Sequence, residues 1–309
     1  MQPLPFRRTL CARPQWHGWC CGSLALWLCC GGSPLFAVAR VRDVGRPRVA
    51  LRSAPCFIDV PAGFDGSVNF GSCDVESEMA LRAEQCLDPA KASVVFDEAD
   101  YGGLLHLRGV LGPQLVAQMR AETDLLCGTL KPSSYWNGWQ AGRGDSYGLV
   151  DLGRLQLGGH CALACGLMLL SAVCGRLSRF RPSPWERLRP TSQAQLALFA
   201  GGGAGYKAHT DSSSYEELGE EMPEDQRRII AARCLTSILY LNEAPWDPSC
   251  GGALRAHRHV HDESGEYVDV SPDGGSLVLF RSRDLRHEVV PSARDRLALT
   301  MWFMSDSDL

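Results

Sequence analysis

Two histidines and one aspartate in this chain have the residue types and spacing of a metal-binding triad. His209 and Asp211 form an HxD motif, and His287 follows much later in the chain. On a β-strand, residues i and i+2 point to the same face, so His209 and Asp211 can reach one ion together. Two histidines and a carboxylate hold Fe(II) on one side and leave its other side open. The three residues therefore predict a non-haem Fe(II) site.

The segment after His287 predicts a partner for an acidic co-substrate. From Arg296 to Phe303 the sequence alternates, so the side chains of Arg296, Thr300 and Trp302 share one face. A guanidinium presents a planar, permanently charged fork to a carboxylate, and a hydroxyl on the same face can add a hydrogen bond. Together with the triad, Arg296 predicts an oxygenase that uses Fe(II), 2-oxoglutarate and O₂.

Five motifs in a fixed order carry a resemblance to a known family. They are HxD at His209, YLN at Tyr240–Asn242, GGxLR at Gly251–Arg255, HEVxP at His287–Pro291 and RxAxTxWF at Arg296–Phe303. From about Leu104 onward the chain resembles a prolyl hydroxylase domain of the hypoxia-inducible-factor type. The resemblance to collagen-type prolyl 4-hydroxylases is weaker, because those usually place a lysine where this chain has Arg296.

The resemblance implies a role for each matching residue. His209, Asp211 and His287 would bind iron, and Arg296 would bind the distal carboxylate of 2-oxoglutarate. The remaining pocket residues would be Tyr240, Thr300, Leu254 and Trp302. Arg143-Gly144-Asp145 resembles a segment that supports the loop on the substrate side. The implied reaction is C4 hydroxylation of a prolyl residue in a protein, with succinate and CO₂ as co-products and ascorbate as reductant.

The chain departs from the family at two places. Phe199 stands where the family has a tyrosine before the first metal histidine, and the segment 212–232 is longer than its counterpart. This segment contains an acidic run, 216–225, which carries carboxylates and no cation. Such a run is usually solvated surface. If it lies at the mouth of the site, it would attract basic peptides by an interaction that salt screens.

The sequence pattern predicts an α+β fold with a mainly β core, a double-stranded β-helix (jelly roll) buttressed by N-terminal helices. From Gln195 onward, short alternating segments are separated by glycine turns, as in a jelly roll. A helix is predicted to begin at Gly112 with Pro113 in its first turn. Its core-facing residues would be Leu115, Val116, Met119 and Leu126. A second helix, 160–178, is apolar nearly all round and is expected to be a buried buttress.

Two further patterns have competing interpretations. His257, His259 and His261 alternate and could bind zinc on one strand face, but without a fourth ligand an exposed hairpin face is favoured. The glycines from Gly201 to Gly205 could bind phosphate, but no helix is predicted to start there, so a turn into the metal strand is favoured. Tyr240 could be an ordinary core tyrosine instead of a pocket residue.

The N-terminal region predicts a targeting segment. Arginines at 7, 8 and 13 precede the apolar run 19–30, and Ala37-Val38-Ala39 follows as a cleavage signal. Residues 1–39 are therefore expected to be a secretory signal peptide or signal anchor. An organelle-targeting leader and a cytosolic start stay open. Residues 40–95 would be a linker or loosely packed region, and 96–309 the catalytic domain.

Composition limits the class of protein and leaves its compartment open. The 309 residues are 45% hydrophobic, enough for one catalytic domain with an N-terminal extension. A net charge of −4 gives no electrostatic reason to expect nucleic-acid binding. The cysteines form no CxxC pair outside the leader, and Cys161 and Cys165 are expected to be small buried hydrophobes. An oxygenase of free small molecules and a non-catalytic protein that responds to iron or 2-oxoglutarate remain alternatives.

Overall fold

Thirteen strands and six helices are defined in the part of the chain that the computed structural model describes, residues 56–59, 75–133, 143–180, 187–220, 222–261 and 265–305. The strands are β1 (Cys56–Asp59), β2 (Leu105–Arg108), β3 (Lys131–Pro132), β4 (Ser146–Val150), β5 (Arg189–Pro190), β6 (Ala194–Phe199), β7 (Ala204–His209), β8 (Arg233–Tyr240), β9 (Leu254–His257), β10 (Tyr267–Val270), β11 (Leu277–Arg281), β12 (His287–Ser292) and β13 (Arg296–Met304). The helices are α1 (Val75–Cys86), α2 (Pro89–Asp97), α3 (Pro113–Leu126), α4 (Leu152–Leu157), α5 (Cys161–Phe180) and α6 (Glu224–Ala231).

The strands form two mainly antiparallel sheets. The major sheet has the order β1-β2-β11-β8-β13-β6-β4-β3, with β5 also pairing β13, and the minor sheet has the order β10-β9-β12-β7. The apolar inner faces of both sheets share one cluster, which includes Ile238, Leu254, Phe280 and Ala298. Strands that alternate between two facing sheets in this way form the predicted jelly roll.

Helices α2 and α5 pack against strands of the major sheet, and α1, α3 and α4 pack against α5. Helix α5 packs against α1, α3 and β13. Gly166 of α5 permits this close approach, because a Cβ there would lie 3.1 Å from Cδ2 of Leu299. In length and apolar composition α5 could span a membrane, but 61% of its most apolar window is buried inside the protein. The prediction of a buried buttress is therefore confirmed.

Helix α3 also agrees with the prediction. Gly112 is its N-cap residue, Pro113 is its first residue, and Leu115, Val116 and Met119 are buried, whereas Leu126 is partly buried. The structure differs from the predicted linker or loosely packed region over residues 75–95. Helices α1 and α2 bury Met79 and Val95 completely, because both elements pack into the main core. The proposed leader, 1–39, lies outside the described residues.

The structure also distinguishes between the competing interpretations of the glycine run and of the three alternating histidines. Gly201–Gly203 form a turn that leads into β7, as expected. The three alternating histidines do not share one strand face, because β9 ends at His257 and the chain then turns. His257 lies 3.7 Å from Glu288, and His259 lies 3.7 Å from Asp100. Within the described residues they form no common metal site.

Arg281 joins helix α2 to the end of β11. Its Nη1 donates to the carbonyl of Val95 and its Nη2 to that of Glu98, each at 2.8 Å. These carbonyls belong to the last turn of α2 and the residue after it, where no intrahelical donor is available. One partly buried side chain therefore ends the helix and connects it to the barrel.

We expect Arg281→Ala to lower the free energy of unfolding by about 2–4 kcal/mol, because two charge-assisted hydrogen bonds are lost and their carbonyls stay buried. Chemical denaturation measures this change. Arg154→Ala is the control, since the side chain of Arg154 is 76% exposed and pairs only with Asp151 nearby. Equal stability of the two variants would contradict the proposed role of Arg281.

Candidate metal centre and co-substrate pocket

His209, Asp211 and His287 come together at one end of the barrel. Each offers one ligand atom, and these atoms lie within 4.8 Å of one another. Oδ1 of Asp211 is 3.6 Å from Nε2 of His209 and 3.9 Å from Nε2 of His287. Separations of this size are those of ligands that share one ion. In the described part of the chain, this is the group of such residues that could hold a metal.

The pairing of β7 with β12 places the two histidines side by side. His209, the last residue of β7, is directly opposite His287, the first residue of β12. The i, i+2 argument assumed that Asp211 lies on the same strand as His209. In the structure, β7 ends at His209 and Asp211 lies just beyond it. Its position comes instead from its backbone N–H, which donates to the carbonyl of Ser282 at 3.0 Å.

Backbone carbonyls orient both imidazole rings. Nδ1 of His209 is 2.8 Å from the carbonyl oxygen of Lys207, and Nδ1 of His287 is 3.2 Å from that of Leu285. A carbonyl can only accept, so each Nδ1 carries a proton and each Nε2 is left as the ring atom that can bind a metal. Such outer partners set the tautomer of histidines that bind metals. The donor atoms are therefore ready for a cation.

The carboxylate of Asp211 accepts a hydrogen bond from one hydroxyl group, which is itself supported by a second. Thr236 Oγ1 donates to Oδ2 of Asp211 at 2.8 Å and lies 2.9 Å from Oγ of Ser282. Burial opposes ionisation of Asp211, but His287 and His209 outweigh it, so the pKa of this carboxyl lies well below its usual value. Burial, with a further contribution from His209, lowers the pKa of His287 to about 4. At neutral pH the site therefore offers a carboxylate and a neutral His287.

Arg296 is a buried cation without a carboxylate partner among the described residues. It is 2% exposed, and its Nε donates to the carbonyl of Gly252 at 2.7 Å. Its Nη2 lies 3.4 Å from the hydroxyl of Tyr240. Burial lowers the pKa of Arg296 from its ordinary value, but an arginine stays charged. A buried, unpaired charge is costly, so this guanidinium is suited to an anionic ligand.

The GGxLR motif shapes the carbonyl that Arg296 binds. Gly252 has a φ of +74°, and a Cβ there would lie 2.9 Å from Oγ of Ser292. At Gly251 a Cβ would collide with the carbonyl oxygen of Pro291. Larger residues would therefore strain the turn and move the carbonyl of Gly252 away from Arg296.

One cavity of about 620 Å³ joins the metal group to Arg296. Thr300, Leu254 and Trp302 line it, as predicted. Tyr240 is completely buried and contacts Arg296 through its hydroxyl, so the structure places it behind the guanidinium. Phe199 lies directly opposite Arg296 in the sheet, and the Arg296 guanidinium carbon is 5.0 Å from the centre of its ring. The residue that departs from the family therefore faces the co-substrate pocket.

The outer part of the cavity is lined by cations and aromatic rings. Arg143 binds Asp145 with two hydrogen bonds, of 2.5 and 2.7 Å, and lies over the ring of Tyr147. The ring of Tyr206 stacks on that of His209, with centroids 3.7 Å apart. The Arg143-Gly144-Asp145 segment is thus a rigid support beside the site.

The sequence analysis did not identify several residues of the site. Thr236 could have been found, because it shares a strand face with Ile238 and Tyr240. Ser282 acts through position alone, and no sequence pattern marks it, whereas Gly252 lies in the GGxLR motif but had no assigned role. Arg233 donates to the backbone carbonyl of Asp211 at 3.2 Å and stacks on Trp302, with 3.7 Å from its guanidinium carbon to the ring centre. Tyr206 also had no assigned role.

Comparison with known proteins agrees with this geometry. The family model described as the 2OG-Fe(II) oxygenase superfamily matches residues 194–304. The hypoxia-inducible factor prolyl hydroxylase of Caenorhabditis elegans is 31% identical over 143 residues, which are 46% of this chain and 17% of that protein. Prolyl hydroxylase EGLN3 of Mus musculus is 34% identical over 119 residues, 38% of this chain and 41% of that protein. The chain thus spans less than half the length of these relatives.

Solved structures show the same fold. A prolyl hydroxylase from Trichoplax adhaerens, in complex with a hypoxia inducible factor oxygen degradation domain peptide fragment, superposes with a TM-score of 0.53 at 19% identity. The superposition covers 77% of this chain and 96% of that one. Prolyl 4-hydroxylases from Phytophthora capsici give 0.51 at 20% identity, covering 80% and 70%. The matched motifs lie in register on this fold, and residues 194–304 are similar to the 2OG-Fe(II) oxygenase superfamily.

Proposed function

We propose that this protein is an Fe(II)- and 2-oxoglutarate-dependent dioxygenase that hydroxylates a prolyl residue of a protein substrate at C4. The observation that carries the proposal is the shared cavity, which joins a triad of two histidines and a carboxylate to the unpaired cation of Arg296. A metal site alone would fit many functions. A buried guanidinium beside it indicates a co-substrate with a carboxylate.

The residues present fit both groups. His209, Asp211 and His287 would hold Fe(II), since their donor set and the orientation of their Nε2 atoms suit a facial triad. Arg296 would hold the distal carboxylate of 2-oxoglutarate, with Thr300 and Leu254 beside it. When bound, Fe(II) and 2-oxoglutarate would supply the electrons that activate O₂, so that one oxygen atom enters succinate, released with CO₂, and the other enters a C–H bond of the substrate.

The protein contributes the positions of the groups that bind the metal and the co-substrate. Thr236 and Ser282 keep the carboxylate of Asp211 in one orientation, and the carbonyls of Lys207 and Leu285 orient the imidazoles. Tyr240 and Gly252 hold Arg296 in place before any ligand arrives. This preorganisation aligns the reacting groups without reorganisation at the moment of reaction.

A protein substrate is supported by the relatives. The relatives are prolyl hydroxylases by name, and one solved neighbour holds a peptide fragment. The direct test is to incubate the purified chain with Fe(II), 2-oxoglutarate, ascorbate as reductant and proline-containing peptides. Mass spectrometry should show one added oxygen on proline and stoichiometric succinate. Hydroxylation of free metabolites but of no peptide would contradict the prolyl substrate.

The N-terminal sequence adds a proposal about location. If residues 1–39 are a cleaved secretory signal, the mature chain begins at Arg40 and the enzyme acts in the secretory pathway. The seven cysteines whose side chains the structure describes form no disulfide with one another. An uncleaved segment would make the protein membrane-anchored.

The support of Asp211 by Thr236 gives a prediction about the metal. Thr236→Val keeps the shape of the side chain but removes its hydroxyl, so we expect the affinity for Fe(II) to fall about 10–100-fold. Calorimetric titration of the apoprotein with the metal measures this. Ser237→Ala is the control, because the hydroxyl of Ser237 binds the carbonyl of Met301 and not a metal ligand. Alanine at His209, Asp211 or His287 should abolish turnover, and wild-type turnover in any of these three would refute the triad.

The pocket around Arg296 gives a prediction about the co-substrate. Arg296→Lys keeps the charge but loses the planar fork, so we expect the Kd for 2-oxoglutarate to rise about 10–100-fold. Phe199→Tyr should lower the Kd modestly, since it adds a hydroxyl beside the carboxylate site. Titration of the Mn(II)-loaded protein with 2-oxoglutarate measures both. An unchanged Kd in Arg296→Lys would mean that the carboxylate binds elsewhere.

The exposed carboxylates near the cavity support a preference for prolines flanked by Lys or Arg. Glu217 and Glu220 are exposed on either side of Leu218, which lines the cavity. We expect Glu217→Gln with Glu220→Gln to lower the ratio of kcat/KM for Lys-flanked over Glu-flanked peptides, by up to about five-fold for each charge at low salt. If parent and variant rank the peptides identically at low salt, these carboxylates do not contribute to recognition.

A further inference from the structure

We propose that helix α6 and strand β4 form the two sides of a docking cleft for a peptide with an apolar residue next to the target residue. This inference rests on the proposed function, because it concerns the segment that presents the target to the metal. The cleft is the outer part of the same cavity that contains the metal group.

Helix α6 faces the cavity with one side that carries both polar and apolar residues. Gln226, Ile229 and Ile230 all line it, and their i, i+3, i+4 spacing places them on one side of a helix. Ile229 is nevertheless 47% exposed, so about half of this side chain has no cover in the described part of the chain. The charged residues Glu224, Asp225 and Arg228 are exposed and do not line the cavity.

Strand β4 contributes a matching side chain. Leu149 is 42% exposed and lines the same cavity. In the sheet it lies opposite Gln195, which in turn lies opposite Thr300 of the co-substrate pocket. Single exposed leucines are common on protein surfaces. Two large apolar side chains from separate elements at one functional cavity indicate a surface that a ligand covers.

Helix α6 is held in place by hydrogen bonds to neighbouring segments of the protein. Oγ of Ser212, the residue after the metal ligand Asp211, donates to the carbonyl of Ile230 at 2.9 Å. Arg283 donates to the carbonyl of Ala231 at 3.3 Å. Met222, just before the helix, is buried. These contacts set the distance of Ile229 from the metal group, so α6 can act as a template.

Polar groups in the cleft identify the occupant as a peptide. The amides of Gln195 and Gln226 line the cavity and have no hydrogen-bond partner among the described residues. The indole N–H of Trp302, which is only 8% exposed, also has no acceptor there. Amides can both donate and accept, as a peptide backbone requires. A lipid or hydrocarbon would leave these groups unsatisfied, whereas a peptide satisfies them and places one apolar side chain between Ile229 and Leu149.

The test measures binding of labelled peptides to the full chain, loaded with Zn(II) in place of Fe(II) and saturated with 2-oxoglutarate. The peptides carry one central proline, and the neighbouring residue is Leu, Asn or Lys on either side. We expect the parent to bind the better Leu peptide about ten-fold more tightly than the Asn peptide, the order expected for partial burial of one apolar side chain. Fluorescence anisotropy gives each Kd.

Variants on both sides of the cleft decide the origin of this preference. Ile229→Asn and, separately, Leu149→Asn should reduce the preference to about two-fold or less. Leu157→Asn is the control, since Leu157 is 92% exposed on α4 and does not line the cavity, so its variant should keep the full preference. Thermal melting verifies that each variant is folded, and partial exposure of both residues makes a polar substitution tolerable.

The outcomes separate this inference from the function on which it rests. Equal binding of the Leu and Asn peptides by the parent, or full preference in both cleft variants, overturns the cleft while leaving a prolyl substrate intact. All Kd values are compared at high salt, where the attraction of Lys to the nearby carboxylates is screened, and tighter binding of the Lys peptide than of the Leu peptide under that condition also overturns the cleft. If 2-oxoglutarate binds but no peptide does, the peptide substrate fails and the cleft with it.

Discussion

The antiparallel pairing of β7 with β12 brings His209 opposite His287, and the chemistry of this protein depends on that register. Strand pairing brings the two residues close enough to share an ion although they are far apart in sequence. A shift of one residue would turn one histidine toward the opposite face and remove the site. Arg143 forms an isolated bridge to Tyr206, so β7, at the edge of the minor sheet, is paired on both sides at this point.

The two ends of the site are preorganised for ligands of opposite charge: a metal cation at one end and a carboxylate at the other. At the metal end, hydroxyls and carbonyls orient the ligands so that lone pairs converge, while burial and the neighbouring histidine lower the pKa of His287. At the other end, Arg296 is buried against the carbonyl of Gly252 and the hydroxyl of Tyr240, with no carboxylate among the described residues to neutralise it. A dianionic co-substrate that reached from the metal to the guanidinium of Arg296 would provide ligand atoms at the first end and a partner charge at the second. The cost of the unpaired cation is thus offset only when the co-substrate is present.

The segment 212–232, which follows Asp211, connects the metal site to the outer part of the cavity. Ser212 is bonded to the carbonyl of Ile230, so the helix that lines the outer cavity is attached next to a metal ligand. This arrangement explains how a segment that looks like acidic surface in the sequence can take part in recognition. The carboxylates described in the acidic run are exposed, and Leu218, Gln226, Ile229 and Ile230 line the cavity.

Much of the site was determined by the sequence by itself, because its residue types and their local spacing are dictated by chemistry. HxD, the later histidine and the alternating strand from Arg296 predicted the triad and the co-substrate pocket, and the short alternating segments from Gln195 onward predicted the jelly roll. The helix 160–178 was predicted to be a buried buttress because apolar residues occupy nearly all of its faces. What only the tertiary structure decided depends on contacts between distant segments. Asp211 is positioned by Ser282, Arg296 is held by Gly252, and α1 and α2 are core helices although their sequence has weak periodicity. Local patterns encode which face of an element is buried, but the partner of each face is chosen only when the chain packs.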